Sequence, residues 1–178
     1  PESPHPVPAQ NKGAANNQSE TQKPKEPAID TSSVAHPNIA TEGEMNLVEE
    51  DELIKAMVLG DKTERTELVK KWDKFQELKT DSKVGNLATL LSEGHPFCLC
   101  KELLVLSYDF KRLRDKANII ENQSALRSLV AILLGRKVKI YAIDPNEKNS
   151  VMKKYFNLQA IGELPSKLDI ELNINIQE

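Results

Sequence analysis

An α+β fold is predicted for residues 82–143 on three observations. Val84, Leu87, Leu90 and Leu91 recur at helical spacing. The pattern then turns to alternation through Phe97 and Leu99 and into the unbroken apolar run Leu103, Leu104, Val105 and Leu106. Helical spacing returns in Leu126, Leu129, Val130, Leu133 and Leu134. The order is therefore helix, strand hairpin, two helices and strand. Nothing in this stretch is arranged for bond-making chemistry, which points to a docking module rather than an enzyme.

Residues 1–45 are unlike the rest. Seven of the ten prolines fall before Glu44, and no aromatic residue precedes Trp72. Only Val7, Ile29, Val34 and Ile39 offer large aliphatic surface there. Such a segment buries too little to offset an ordering cost of about 1–2 kcal/mol per backbone residue, so a disordered Pro/polar linker is expected over 1–45. As a flexible coil it would span roughly 35–40 Å and hold attached bodies at high effective concentration. Because the chain opens at Pro1 inside this linker, a piece from the C-terminal side of a longer protein is expected.

An N-terminal helical unit is expected over 46–80. Leu53, Ile54, Met57 and Val58 make one apolar stripe, stopped by Gly60. Asp61 and Glu64 have the spacing of an N-cap with its capping carboxylate, and the helix they open places Leu68, Val69, Trp72, Phe75 and Leu78 on one side. Trp72 reads more readily as core than as a partner-binding anchor, given its Leu and Phe neighbours.

The α+β unit occupies 81–144. Residues 80–82 (Thr, Asp, Ser) supply the next cap, Gly94 ends that helix, and Lys101 and Glu102 form the hairpin tip. The run 103–106 suits a central strand covered on both faces. Asp109 is expected to cap a short helix with Phe110, Leu113 and Ala117 inward and Lys111, Arg112, Arg114 and Lys116 outward. After a break at 118–122, a long apolar helix reaches Gly135, a left-handed C-cap candidate. Val138, Ile140 and Ala142 alternate with polar neighbours in the last strand.

Residues 145–178 are expected as a C-terminal helix and an amphipathic strand or tail. Asp144 caps the helix, whose apolar side is Val151, Met152, Tyr155 and Phe156. Beyond it, Ile170, Leu172, Ile174 and Ile176 alternate strictly with Asp169, Glu171, Asn173 and Asn175. Either this segment adds a strand to its own sheet, or it stays loose and becomes a strand or anchor on a partner.

Composition excludes several classes. The linker carries three Lys against six Asp or Glu, which leaves residues 46–178 formally neutral, a poor prior for nucleic acid. No window approaches the ~18 apolar residues of a membrane span, so a soluble cytoplasmic protein with no membrane partner is expected. Cys98 and Cys100 share one face of a strand and read as small buried hydrophobes; a zinc site would need two more ligands, and only His95 is near. No catalytic grouping, metal set or cofactor is expected.

Three segments carry a family resemblance: residues 71–75 (Lys, Trp, Asp, Lys, Phe), residues 103–110 (Leu, Leu, Val, Leu, Ser, Tyr, Asp, Phe) and residues 122–143 with Leu-Leu-Gly-Arg-Lys-Val-Lys-Ile at 133–140. Residues 46–143 resemble the C-terminal region of the bacterial DNA polymerase III gamma/tau clamp-loader subunit. The resemblance implies a K-homology-like fold of type II order α-β-β-α-α-β, used to bind proteins. It implies as partners an alpha-type replicative polymerase subunit and, in some bacteria, the replicative helicase. The ATPase region of that family is not in this chain, which has no phosphate-binding G-x-x-x-x-G-K-[ST].

The likeness also raises an alternative, a single-stranded nucleic-acid-binding K-homology-like domain. Members that grip nucleic acid use a G-x-x-G loop between paired helices. Here that loop, residues 116–121, has no glycine and one acidic residue. Residues 109–139 nevertheless hold a local charge of +5. This face, Lys111, Arg112, Arg114 and Lys116 above all, and the Ile170, Leu172, Ile174 and Ile176 stripe are the candidate partner-binding residues. A solvated face, an acidic protein partner and nucleic acid all remain open for the basic set.

Overall fold

The computed structural model describes residues 29–34 and 38–178, so most of the expected linker, residues 1–28 and 35–37, lies outside the described residues. The fold is mixed α+β. Its elements are α1 (Glu50–Leu59), α2 (Lys62–Trp72), α3 (Lys74–Glu77) running into a 3-10 turn (Leu78–Thr80), α4 (Gly85–Ser92), β1 (Gly94–Leu99), β2 (Leu103–Tyr108), α5 (Lys111–Asn118), α6 (Ile120–Leu134), β3 (Lys139–Ile143) and α7 (Pro145–Ala160).

The sheet has the order β1-β2-β3. β1 pairs antiparallel with β2 across a bulge at Phe97, and β2 pairs parallel with β3 through the α5–α6 crossover. Every residue of β2 is buried, as its unbroken apolar run requires of a central strand. Alternation sorts the two faces. Leu99, Leu104, Leu106, Ile140 and Ala142 meet Leu68, Trp72, Phe75, Leu87 and Leu126 in one core. Cys98, Leu103, Val105, Tyr141 and Ile143 meet Leu53, Ile54 and Val151, together with Ile174 and Ile176, in the other. Helices α2 and α3 thus cover one face of the sheet, while α1 and the segments after 145 cover the other.

Local chemistry sets the boundaries. Asp61 caps α2 by accepting from the Glu64 amide at 2.9 Å. Asp144 makes a full capping box with Glu147, and Pro145 follows in the first turn. Gly135 ends α6 at φ 81, the left-handed conformation that glycine adopts without a Cβ penalty. The α4 C-terminus is capped by aromatic side chains: Trp72 Nε1 donates to the Leu91 and Gly94 carbonyls, both at 2.9 Å, and the Tyr108 hydroxyl donates to the Leu90 carbonyl at 2.9 Å. A Cβ at Gly94 would lie 2.7 Å from Tyr108 Cζ, so this approach needs glycine. Trp72 is therefore core.

Several expectations change. Asp109 is exposed and caps nothing; Phe110 holds the N-cap position of α5 and its ring is exposed rather than inward. Ordered chain begins ahead of residue 46: Val34 is buried, Ile29 and Ile39 pack on the α2–α6 core, and the Asn122 side chain bonds both the amide and the carbonyl of Ala40. These are contacts of single residues, which leave no periodicity to read.

The C-terminal segment forms no strand. Ile174 and Ile176 are buried and Leu172 packs beside them, so the alternation marks an extended segment docked on the α1/α7 face by its side chains. Its backbone is held by other groups: Asn46 donates to the Gln177 carbonyl and accepts from its amide, Glu52 accepts from the Asn173 amide, and Lys139 Nζ donates to the Ile174 carbonyl. The β3 edge is already filled. Asn118 exchanges two 2.8 Å bonds with the Ala142 amide and carbonyl, and Gln123 donates to the Ile140 carbonyl at 2.7 Å. Two buried side-chain amides stand where a fourth strand would pair.

Candidate protein-docking surface

The other sheet edge is also occupied. On β1 the Leu99 carbonyl accepts from the Asp61 amide at 2.8 Å and the Phe97 carbonyl from Arg65 Nη1 at 2.9 Å. Strand addition is thereby blocked at these groups on both sides of the sheet.

Half of the expected basic face is ion-paired within the molecule. Arg114 is not outward: it reaches Asp115 at 2.8 Å, Asp144 at 3.0 Å and Glu147 at 3.2 Å, and so ties α5 to the start of α7. Arg136 pairs with Glu64 at 2.8 Å, Arg127 with Glu178 at 2.6 Å and Lys111 with Asp115 at 3.4 Å. Among the described residues, Arg112, Lys116 and Lys137 have no ion pair. Lys116 borders a shallow cavity with Ile39 and Leu113. The junction between α5 and α6 is covered: the Ile120 amide donates to the Glu44 carbonyl and the Asn46 amide to the Asn118 carbonyl, both at 2.8 Å.

Around Arg114 the carboxyl of Asp144 feels burial, which raises its pKa, but the Glu147 amide and the Arg114 guanidinium outweigh it and hold the group below its ordinary 3.8. A depressed carboxylate stabilises the fold fully above its unfolded value, and that contribution is lost as pH falls through the lower folded value. An Arg114→Gln variant should therefore be less stable than wild type at neutral pH, with the gap narrowing once the pH drops below 3.8. Urea unfolding at a series of pH values checks this; a gap that widens in acid contradicts it.

The four aliphatic candidates of the tail are likewise internal, Ile174 and Ile176 fully and Leu172 in part, with Ile170 half-buried. The cysteines behave as hydrophobes. Burial pushes the Cys98 thiol up to about 12, and it donates to the Ala56 carbonyl at 3.3 Å. Among the described residues no group of three or more His, Cys, Asp and Glu is placed to hold a metal ion, and no helix is long and apolar enough to cross a membrane.

What the structure brings together instead is an apolar groove of about 330 Å³ between the end of α1, the start of α2, the β1 bulge and the second half of α7. Met57, Phe97, Met152 and Phe156 make its apolar surface, with Tyr155 edge-on to Phe156 at 5.7 Å between centroids. Phe156 is 53 % exposed, a large loss of burial for a phenylalanine. Lys62 and Arg65 line the groove, and Lys148 Nζ stands 5.7 Å from the centroid of the Phe97 ring. Sequence reasoning missed this site because its walls come from four segments. One signal was present: Met152, Tyr155 and Phe156 are a wider apolar arc than a helix with one covered face needs. Comparison with protein-family models, curated proteins and solved structures returns no match for the chain.

Proposed function

We propose that this chain is a protein-docking module of the DNA polymerase III tau type, coupling a clamp loader to the replicative polymerase in the bacterial cytoplasm. The groove carries this reading: an open apolar surface beside cations, on a body whose sheet-edge groups at Phe97, Leu99, Ile140 and Ala142 are already bonded. The resemblance of residues 46–143 to that subunit supplies the partner class, and the order α4, β1, β2, α5, α6, β3 agrees with the K-homology-like arrangement it implies. The nucleic-acid alternative is disfavoured, because the junction between α5 and α6 has no glycine and its backbone is bonded to residues 44–46. No cofactor enters this reading.

The test is an amide NMR titration of the whole chain with the catalytic subunit of a replicative polymerase, a replicative helicase and a single-stranded oligonucleotide in turn. Shifts centred on Met57, Phe97, Met152 and Phe156 with the polymerase are expected. Shifts with the oligonucleotide alone, weakening steeply with salt, overturn the proposal in favour of nucleic-acid binding.

A further inference from the structure

We infer that the groove between α1, α2, β1 and α7 receives an acidic segment of a protein partner bearing aliphatic or aromatic anchors, an assignment that rests on the docking reading above. Shape and apolar chemistry come from Met57, Phe97, Met152 and Phe156. Two of the four are methionines, whose unbranched thioethers repack around a range of anchors. Polarity comes from the rim. Lys62 and Arg65 line the groove, Lys148 stands over the Phe97 ring, and none of the three has a carboxylate within ion-pair distance among the described residues. Arg65 spends one N–H on the Phe97 carbonyl and keeps others of its guanidinium fork available. The one carboxylate lining the groove, Asp61, is used as the α2 cap.

Three unmatched cations around open apolar surface form a complement to carboxylates flanking apolar anchors, and they oppose a basic segment by like-charge repulsion. Recognition runs through side chains, since the two β1 carbonyls facing this side, Phe97 and Leu99, already accept bonds from Arg65 and Asp61.

The experiment uses the full chain and two synthetic peptides that share Leu and Phe positions at helical spacing, one otherwise rich in Asp and Glu, the other in Lys. Fluorescence anisotropy reads affinity and amide shifts read location. The acidic peptide is expected to bind with shifts at Phe97, Met152 and Phe156, and the Lys-rich peptide to bind at least about tenfold more weakly. The double variant Lys62→Glu, Lys148→Glu should reverse that order; both sites lie in first helical turns, where carboxylates favour the fold. Phe156→Asp should abolish binding of both peptides, with thermal unfolding confirming that each variant folds.

Equal binding of the two peptides, or shifts away from the groove, overturns the inference. So does a dimer of the chain alone that Phe156→Asp dissociates, because the occupant is then a second copy. Undiminished binding of the replicative polymerase to these variants refutes the groove assignment and leaves the tau-type reading standing. Charge-selective peptide capture without any polymerase binding has the converse meaning.

Discussion

Trp72→Ala is expected to lower the unfolding free energy by about 3–5 kcal/mol, the range for removing a large aromatic from a packed core. The indole is 6 % exposed and meets the Phe75 ring edge-on, with centroids 4.8 Å apart and planes at 85°. Its one N–H is shared between the carbonyls of Leu91 and Gly94, so the truncation empties space and strips a donor from the end of α4 together. Trp72→Phe separates the two effects, because it keeps most of the apolar volume and should cost about 1–3 kcal/mol for the lost donor. Denaturant unfolding at constant m-value measures both. A Trp72→Ala variant that unfolds like wild type would contradict the core role of the indole.

Asn118→Leu is expected to cost about 2–6 kcal/mol, because each of two buried backbone groups left without a partner costs about 1–3 kcal/mol. Asn118 is 1 % exposed, and its amide meets both the N–H and the C=O of Ala142. Leucine nearly matches its size and can satisfy neither. Gln123 holds the next position along the strand, bonding the Ile140 carbonyl, so Gln123→Leu should act in the same direction. Hydrogen exchange locates the damage: the Ala142 amide should lose protection in Asn118→Leu well before amides of β2. A variant with native stability would mean that the β3 edge is satisfied by something other than these side chains.

Periodicity made the element order of residues 82–143 readable, because each helix and strand there buries one face in a continuous core. The 103–106 run placed its strand at the centre of the sheet for the same reason. Asn118 falls in what reads as a chain break and Gln123 in the helix after it, and neither stands out, since a polar residue that substitutes for a strand has the same sequence signature as one facing water. Arg114 looked like its neighbours Arg112 and Lys116, and only the fold brings Asp144 and Glu147 to it. Of the 170–176 alternation Ile174 and Ile176 are buried, yet neither a paired strand nor a loose tail results, because side-chain alternation is common to a strand and to an extended segment bonded by side chains. The groove had no linear signature. Met57, Lys62, Phe97, Lys148 and Phe156 span about a hundred residues of sequence and meet only after the sheet has assembled.

Asn46 and Gln177 are joined by two side-chain-to-backbone hydrogen bonds, 3.0 and 2.9 Å long. Tension applied between those two positions is therefore borne first by this clasp, then by the Lys139–Ile174 and Glu52–Asn173 bonds, before it loads any rung of the sheet. Pulled from these positions, the molecule should yield mechanically in stages, with the last residues peeling from the α1/α7 face at low force while β2, bonded on both sides, gives way only afterwards.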